Sequence, residues 1–205
     1  MFISIEGNIG AGKSTLLAYL KSLGGELGGK KVIFVPEPVD SWEQIKSDSG
    51  ENMIELFYSD QHKYSFAFQI MAFVSRYRLL ETAVLENPDA VIIAERSLCA
   101  DKIFAAMLFD GGQMSKVEHT IYSQLFECFN RLPADGVIYL KCLPETAKAR
   151  CEKRNRPGEV IPLEYLEKCH DYHEKWMEGI DALVLDAELA VTDHVAEINK
   201  FIEGM

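Results

Sequence analysis

Residues 7–14 read Gly7-Asn8-Ile9-Gly10-Ala11-Gly12-Lys13-Ser14, with Thr15 next. This is the spacing G-x-x-x-x-G-K-[ST], and Gly7, Gly12, Lys13 and Ser14 fill its four fixed positions. An apolar run, Phe2–Ile5, precedes it and a helix-compatible segment to Leu23 follows. Glycines let a backbone wrap closely enough for its N–H groups to point at phosphate oxygens, and the N-terminus of the following helix adds partial positive charge. The backbone of 7–15 is therefore expected to cradle the phosphates of ATP or another nucleoside triphosphate. Lys13 should reach the β- and γ-phosphates, and the Ser14 hydroxyl should bind Mg²⁺. By itself the loop implies only triphosphate binding, which kinases, GTPases, ATPases and non-catalytic binding modules share. An Asn-Lys-x-Asp guanine reader is absent from the sequence.

Moving outward, short β-branched runs recur at 2–5, 32–35, 90–94, 136–140 and 182–185. Each has the length of a strand buried on both faces. Helical-period segments separate them at about 13–23, 53–86 (expected to break), 97–109, 114–131, 144–153, 162–178 and 192–203. Such alternation predicts an α/β fold with five parallel strands flanked by helices, in one domain spanning 1–205. Ligands should gather beyond the carboxyl ends of the strands.

Composition bounds the chemistry. The 205 residues carry a formal net charge of −11, which argues against broad nucleic-acid binding. One basic knot stands out: Arg150, Lys153, Arg154 and Arg156 lie within seven residues, suiting a small anionic ligand. The five cysteines form no Cys-x-x-Cys pair, so reduced thiols are expected rather than disulfides or zinc. Cys169, His170 and His173 read as helix surface or packing. No membrane span is expected, and a start directly in a strand suggests a cytoplasmic protein.

Two strand ends supply candidate chemistry. Glu37 lies between Pro36 and Pro38, which hold its backbone extended. A carboxylate there suits a general base. Glu95-Arg96-Ser97 ends the third run. Glu95 could hold Mg²⁺, Arg96 could neutralise a transferring phosphoryl group or orient Glu37, and Ser97 could cap the next helix. The cluster at 150–160 reads as a lid whose guanidinium groups, Arg150, Arg154 and Arg156, would enclose phosphates opposite the loop.

These residues together resemble the deoxynucleoside kinase family over nearly the whole chain. The resemblance rests on Gly7–Ser14, Pro36-Glu37-Pro38-Val39 with Trp42, Phe68-Gln69 followed by Arg76, Glu95-Arg96-Ser97 with Asp101, the arginine lid, and Ile161-Pro162-Leu163-Glu164-Tyr165-Leu166. It implies a P-loop kinase fold and transfer of a γ-phosphate to the 5′-hydroxyl of a deoxyribonucleoside. Glu37 would be the base, Arg96 its partner and Glu95 a magnesium ligand. Gln69 would pair with the nucleobase between the aromatic walls Phe68 and Trp42. Ile54 and Phe57 would supply apolar contacts, while Tyr58 and Glu159 would reach the sugar 3′-hydroxyl. Without the resemblance, the apolar residues of 53–73 read simply as core. The pair Arg76 and Asp101 resembles that of family members acting on deoxycytidine and purine deoxynucleosides, and leaves little room for the thymine methyl. The chain departs from the family pattern after Asp101, where Ile103-Phe104 follow one residue sooner. The family commonly dimerises, here through about 62–86 and 114–131, with Phe73, Ile121, Leu125 and Phe129 as candidate contacts. Thymidylate kinases share a Glu-Pro after the second strand, but there Gly-Gly usually follows, whereas here the chain reads Val39-Asp40-Ser41-Trp42.

Overall fold

A computed structural model describes residues 1–129 and 131–205. The five expected strands form one parallel array: β1 (Phe2–Glu6), β3 (Lys30–Val35), β4 (Val91–Glu95), β5 (Gly136–Lys141) and β6 (Ala182–Asp186). A sixth strand, β2 (Glu26–Leu27), pairs antiparallel with β3 at the edge, giving the order β2-β3-β4-β1-β5-β6. Two residues are too few to show a period, so this hairpin is not visible as a pattern in the sequence. The last strand also differs from expectation: Val184 is half exposed, because β6 is the opposite edge.

Alternation along the strands divides the core. Ile3, Ile5, Val91 and Ile93 point to one face, where Leu16 and Leu20 of α1 (Lys13–Ser22) and Ile198 and Ile202 of α9 (Val195–Glu203) cover them. Phe2, Ile92 and Ala94 point to the other. There they meet Phe73 and Leu80 of α4 (Gln61–Glu86), Leu98 and Leu108 of α5 (Leu98–Asp110), and Tyr122 and Phe126 of α6 (Lys116–Phe129). The expectation of helix at 130 lies outside the described residues.

The long segment 53–86 breaks at Asp60. This residue ends α3 (Met53–Ser59) with an extended backbone, and its side chain accepts from Lys63 N–H to start α4. An Asn52–Glu55 capping box begins α3. A short helix not foreseen from the sequence, α2 (Val39–Glu43), follows Pro38 and turns Trp42 inward. The remaining helices are α7 (Pro144–Arg154) and α8 (Leu163–Met177), with a 3₁₀ turn at Val191–His194 before α9. The described cysteines are all free thiols. No helix is long and apolar enough to cross a membrane.

Register brings the chemistry to one level. Ala94 is paired with Ser4 on one side and Val35 on the other. The chain therefore leaves β1, β3 and β4 together, delivering the glycine loop, Glu37 and Glu95-Arg96 to one crevice.

Candidate active site

The loop after β1 is shaped by its glycines. Gly7 (φ 144°) and Gly10 (φ 77°) adopt backbone conformations that side chains avoid, and a Cβ would lie 2.6 Å from Leu140 O and 2.4 Å from Ala147 O respectively. The loop is thus packed against β5 and α7 as well as curled. Its other contacts stiffen it. Lys13 Nζ donates to Asn8 O at 2.7 Å, and Asn8 Nδ2 donates to Leu166 O at 2.9 Å. Burial, aided by Arg96, pulls the Lys13 ammonium down to about 8. Of the nine residues expected to hold phosphate, Gly7 and Asn8 are turned to the structure behind the loop, while Ile9 to Thr15 line the cavity.

Ser14 Oγ donates to Glu95 Oε1 at 2.8 Å. A hydroxyl beside a carboxylate, opening onto a phosphate loop, is a hard-oxygen donor set that fits Mg²⁺, which takes few protein ligands and completes its shell with phosphate and water oxygens.

Glu37 lies across the crevice. Arg76, from α4, donates from Nη2 to Glu37 Oε1 at 2.8 Å. The same guanidinium grips both oxygens of Asp101 on α5 (2.9 and 3.2 Å) and donates to Glu95 O at 3.0 Å. Arg96 Nε sits farther from Glu37 Oε1, at 3.5 Å. Arg76 is therefore the nearer partner of Glu37, a role the sequence suggested for Arg96. Burial raises the Glu37 carboxyl, but Arg76, Arg96 and Lys13 together outweigh it and hold the group at about 2. Arg76 and Asp101 are each only a few per cent exposed, so theirs is a buried pair and not a surface salt bridge. The helix α5 runs unbroken past Asp101, and Phe104 lines the same cavity.

The cavity holds about 870 Å³ and runs from the glycine loop past Glu37 into a slot between α2, α3 and α4. Its walls are aromatic. Phe57 stacks on Phe68 with centroids 4.5 Å apart, and Trp42 meets Phe68 edge-on at 5.6 Å. Trp42 Nε1 is tied to Ser75 Oγ at 2.8 Å, which fixes the indole. Ile54 and Tyr58 complete the walls. Gln69 Oε1 is buried without a hydrogen-bond partner. Leaving an amide oxygen dry costs free energy unless a donor arrives, so Gln69 offers a hydrogen-bond acceptor to whatever enters the slot.

At the other end, Arg150, Lys153, Arg154 and Arg156 all line the cavity. Arg150 donates to Ala11 O (3.0 Å) and Ala187 O (2.7 Å), fastening α7 to the glycine loop and to the turn after β6. Arg154 Nη2 donates to Glu159 Oε2 at 2.6 Å, and Arg156 Nη1 lies 3.5 Å from Glu159 Oε1. Glu159, expected at a sugar hydroxyl, here neutralises the lid arginines. Asn155, in the left-handed region at φ 51°, ends α7 and starts the turn that makes this pairing possible.

The profile of the family described as deoxynucleoside kinase (dNK) matches residues 3–204. The chain belongs to the deoxynucleoside kinase family. Human deoxycytidine kinase is 37% identical to it, over 85% of this chain and 74% of the relative. Mitochondrial deoxyguanosine kinase of Xenopus laevis is 34% identical, over 85% and 72%. The solved deoxyadenosine kinase of M. mycoides, with products dCMP and a flexible dCDP bound, covers all of both chains with a TM-score of 0.82 and 28% identity. The protein is thus a P-loop phosphotransferase acting on a deoxynucleoside.

Sequence reasoning missed several residues of the kinase that line or support the cavity. Tyr165 and Phe104 line it, but both sit on helices whose apolar positions read as core. Val191 and His194 line it from the 3₁₀ turn, where the sequence offers no motif. His173 is fully buried beside Arg96, although its spacing suggested ordinary packing. In each case the signal is a three-dimensional neighbour that linear spacing does not contain.

Proposed function

We propose that this kinase transfers the γ-phosphate of ATP to the 5′-hydroxyl of deoxycytidine and purine deoxynucleosides in preference to thymidine. The observation that carries the reading is the Arg76 fork, which ties Glu37 to Asp101 at the floor of a slot whose Gln69 oxygen awaits a donor. A nucleobase offering an N–H beside an acceptor would satisfy the Gln69 amide. The buried Arg76–Asp101 pair would fill the space a thymine methyl needs. The sugar would then lie between Tyr58 and Glu37, with its 5′-oxygen toward the glycine loop.

Residues 9–15, Lys13 among them, and the lid arginines hold the triphosphate in this reading. Ser14 and Glu95 would hold Mg²⁺, which when bound would offset phosphate charge. Glu37 accepts a hydrogen bond from the 5′-hydroxyl and aims its oxygen at the γ-phosphorus. A carboxylate held at about 2 is a weak base. Phosphoryl transfer through a loose transition state asks little proton removal at the start, so Glu37 mainly orients the nucleophile. It takes the proton once the new P–O bond has made the hydroxyl strongly acidic. Arg96 and the lid arginines offset charge on the moving phosphoryl group. Arg154 and Arg156 exchange Glu159 for phosphate oxygens as substrates bind, which frees Glu159 for the sugar 3′-hydroxyl. The kinase acts as one domain, in a reducing compartment such as the cytoplasm, and as a homodimer.

The test is a panel of dC, dA, dG, dT and dTMP with ATP and Mg²⁺, read as kcat/KM for each. The reading expects the first three to exceed dT and dTMP to be inert. Preference for dT, or phosphorylation of dTMP, would overturn it.

A further inference from the structure

Arg96 occupies an unusual backbone state. Its φ of 68° lies in the left-handed region, which a long side chain enters only when its surroundings compel it. The surroundings are explicit. Arg96 N–H donates to Ile5 O at 3.0 Å, and the next N–H, of Ser97, donates to the buried carboxylate oxygen Glu6 Oε1 at 2.8 Å. The backbone is pinned on both sides of the strained residue, which throws the guanidinium into the crevice. There it lies over the Phe104 ring, 4.9 Å from the centroid, with Nε 3.5 Å from Glu37. Its Nη1 lies 3.4 Å from His173 Nε2.

The imidazole of His173 is fully buried on α8. Its Nδ1 lies 2.6 Å from Cys169 O. A carbonyl only accepts, so Nδ1 carries the proton. In a neutral ring Nε2 then has a lone pair, and a guanidinium only donates. We propose that His173 is a positioning residue: its unprotonated Nε2 accepts from Arg96 Nη1 and holds the guanidinium against Glu37. Burial, then the charge of Arg96, depress the imidazole to about 3, which keeps the lone pair available at every working pH. The same helix holds the glycine loop through Leu166 O and Asn8. One rigid element thereby sets both the phosphate cradle and the arginine opposite it. Without the acceptor, a nearly fully buried Arg96 would have an unpaired donor and would turn toward other oxygens.

This inference rests on the proposed reaction, so its test has one arm independent of catalysis. In the wild-type kinase, ¹⁵N NMR of His173 should show a neutral ring protonated at Nδ1 from about pH 5 to 8. A ring protonated at Nε2, or titrating in that range, would refute the clamp whatever the enzyme's substrate proves to be. The kinetic arm uses His173→Phe, which keeps a flat ring but removes the acceptor, and His173→Gln, whose amide oxygen can return it. His173→Phe should lower kcat about tenfold or more while moving the deoxynucleoside KM by less than about threefold. It should also bring into kcat/KM an acid limb that the wild type lacks above about pH 5, because a loosened Arg96 no longer helps Arg76 and Lys13 hold the Glu37 carboxyl down. His173→Gln should restore most of kcat and abolish that limb. Wild-type kinetics in His173→Phe, or equal damage in both variants, would show that the ring only fills space. If His173→Phe fails to fold, the NMR result decides. If the wild type phosphorylates no deoxynucleoside, the proposed reaction falls while the tautomer still reports on the clamp.

Discussion

Lys13 and Glu37 line one cavity, and burial pushes one down and the other up before neighbouring charges act. Burial and Arg96 bring the Lys13 ammonium down to about 8, despite the nearby carboxylates. A lowered ammonium is charged below that value and loses its charge as pH rises through it. The kcat/KM for ATP, which reports the free enzyme, should therefore be level below about pH 8 and decline by about tenfold per unit above it. A profile still level near pH 9.5 would show that Lys13 is not the titrating phosphate ligand. Glu37 carries the opposite sign: with its carboxyl at about 2, no acid limb from this group should be seen between about pH 5 and 8. At this scale the sequence was informative where residue type and spacing coincide, as at Gly7, Gly12, Lys13, Ser14 and Glu37. It was silent on who pairs with whom. Arg76 outranks Arg96 beside Glu37 because α4 crosses the crevice 39 residues later, a separation that no local pattern encodes.

Among the elements, α4 and α5 meet the sheet through the buried Arg76–Asp101 pair. Removing one partner of such a pair leaves a charge in a poorly solvated place, which typically costs about 3–5 kcal/mol. Arg76→Met should lower stability by about that amount in urea denaturation, and Arg76→Met with Asp101→Ser should lose less than the single variant. The double variant should also gain relative kcat/KM for thymidine, since it clears the space the pair fills. Equal loss in both variants, with unchanged acceptor preference, would mean that the pair neither couples α4 to α5 nor limits the base. The helices were mostly visible in their apolar period. The exceptions were short: α2 and the strand β2 span five and two residues, below the length at which periodicity distinguishes helix from strand. The break at Asp60 was expected in kind but not in place, because an aspartate that caps one helix while ending another looks in sequence like any polar residue.

For the whole molecule, the strand order and register explain why one crevice gathers three distant segments. The alternation of strands and helices foretold the parallel sheet, but not that Val35, Ala94 and Ser4 would fall on one level. The expected dimer face needs revision in detail. Phe73 is buried at 1% exposure and belongs to the core, whereas Ile121 and Phe129 remain 48% and 42% exposed, and Val74, Leu85 and Val117 on the same two helices are exposed as well. Scattered apolar residues are normal, but several together on neighbouring helices suit association. Light scattering at micromolar concentration should give a dimer for the wild type and a monomer for Ile121→Glu. A wild-type monomer would remove the dimer from the account.

The central claim is that the carboxylate of residue 37 aims the 5′-oxygen at the γ-phosphorus and takes its proton as the new bond forms. Glu37→Gln keeps the shape and one hydrogen bond to Arg76 but cannot take the proton. Measured side by side, its kcat should fall by about a hundredfold or more, while its Kd for the deoxynucleoside should stay within about tenfold of wild type. A variant that binds the deoxynucleoside and retains most of its kcat would contradict the account.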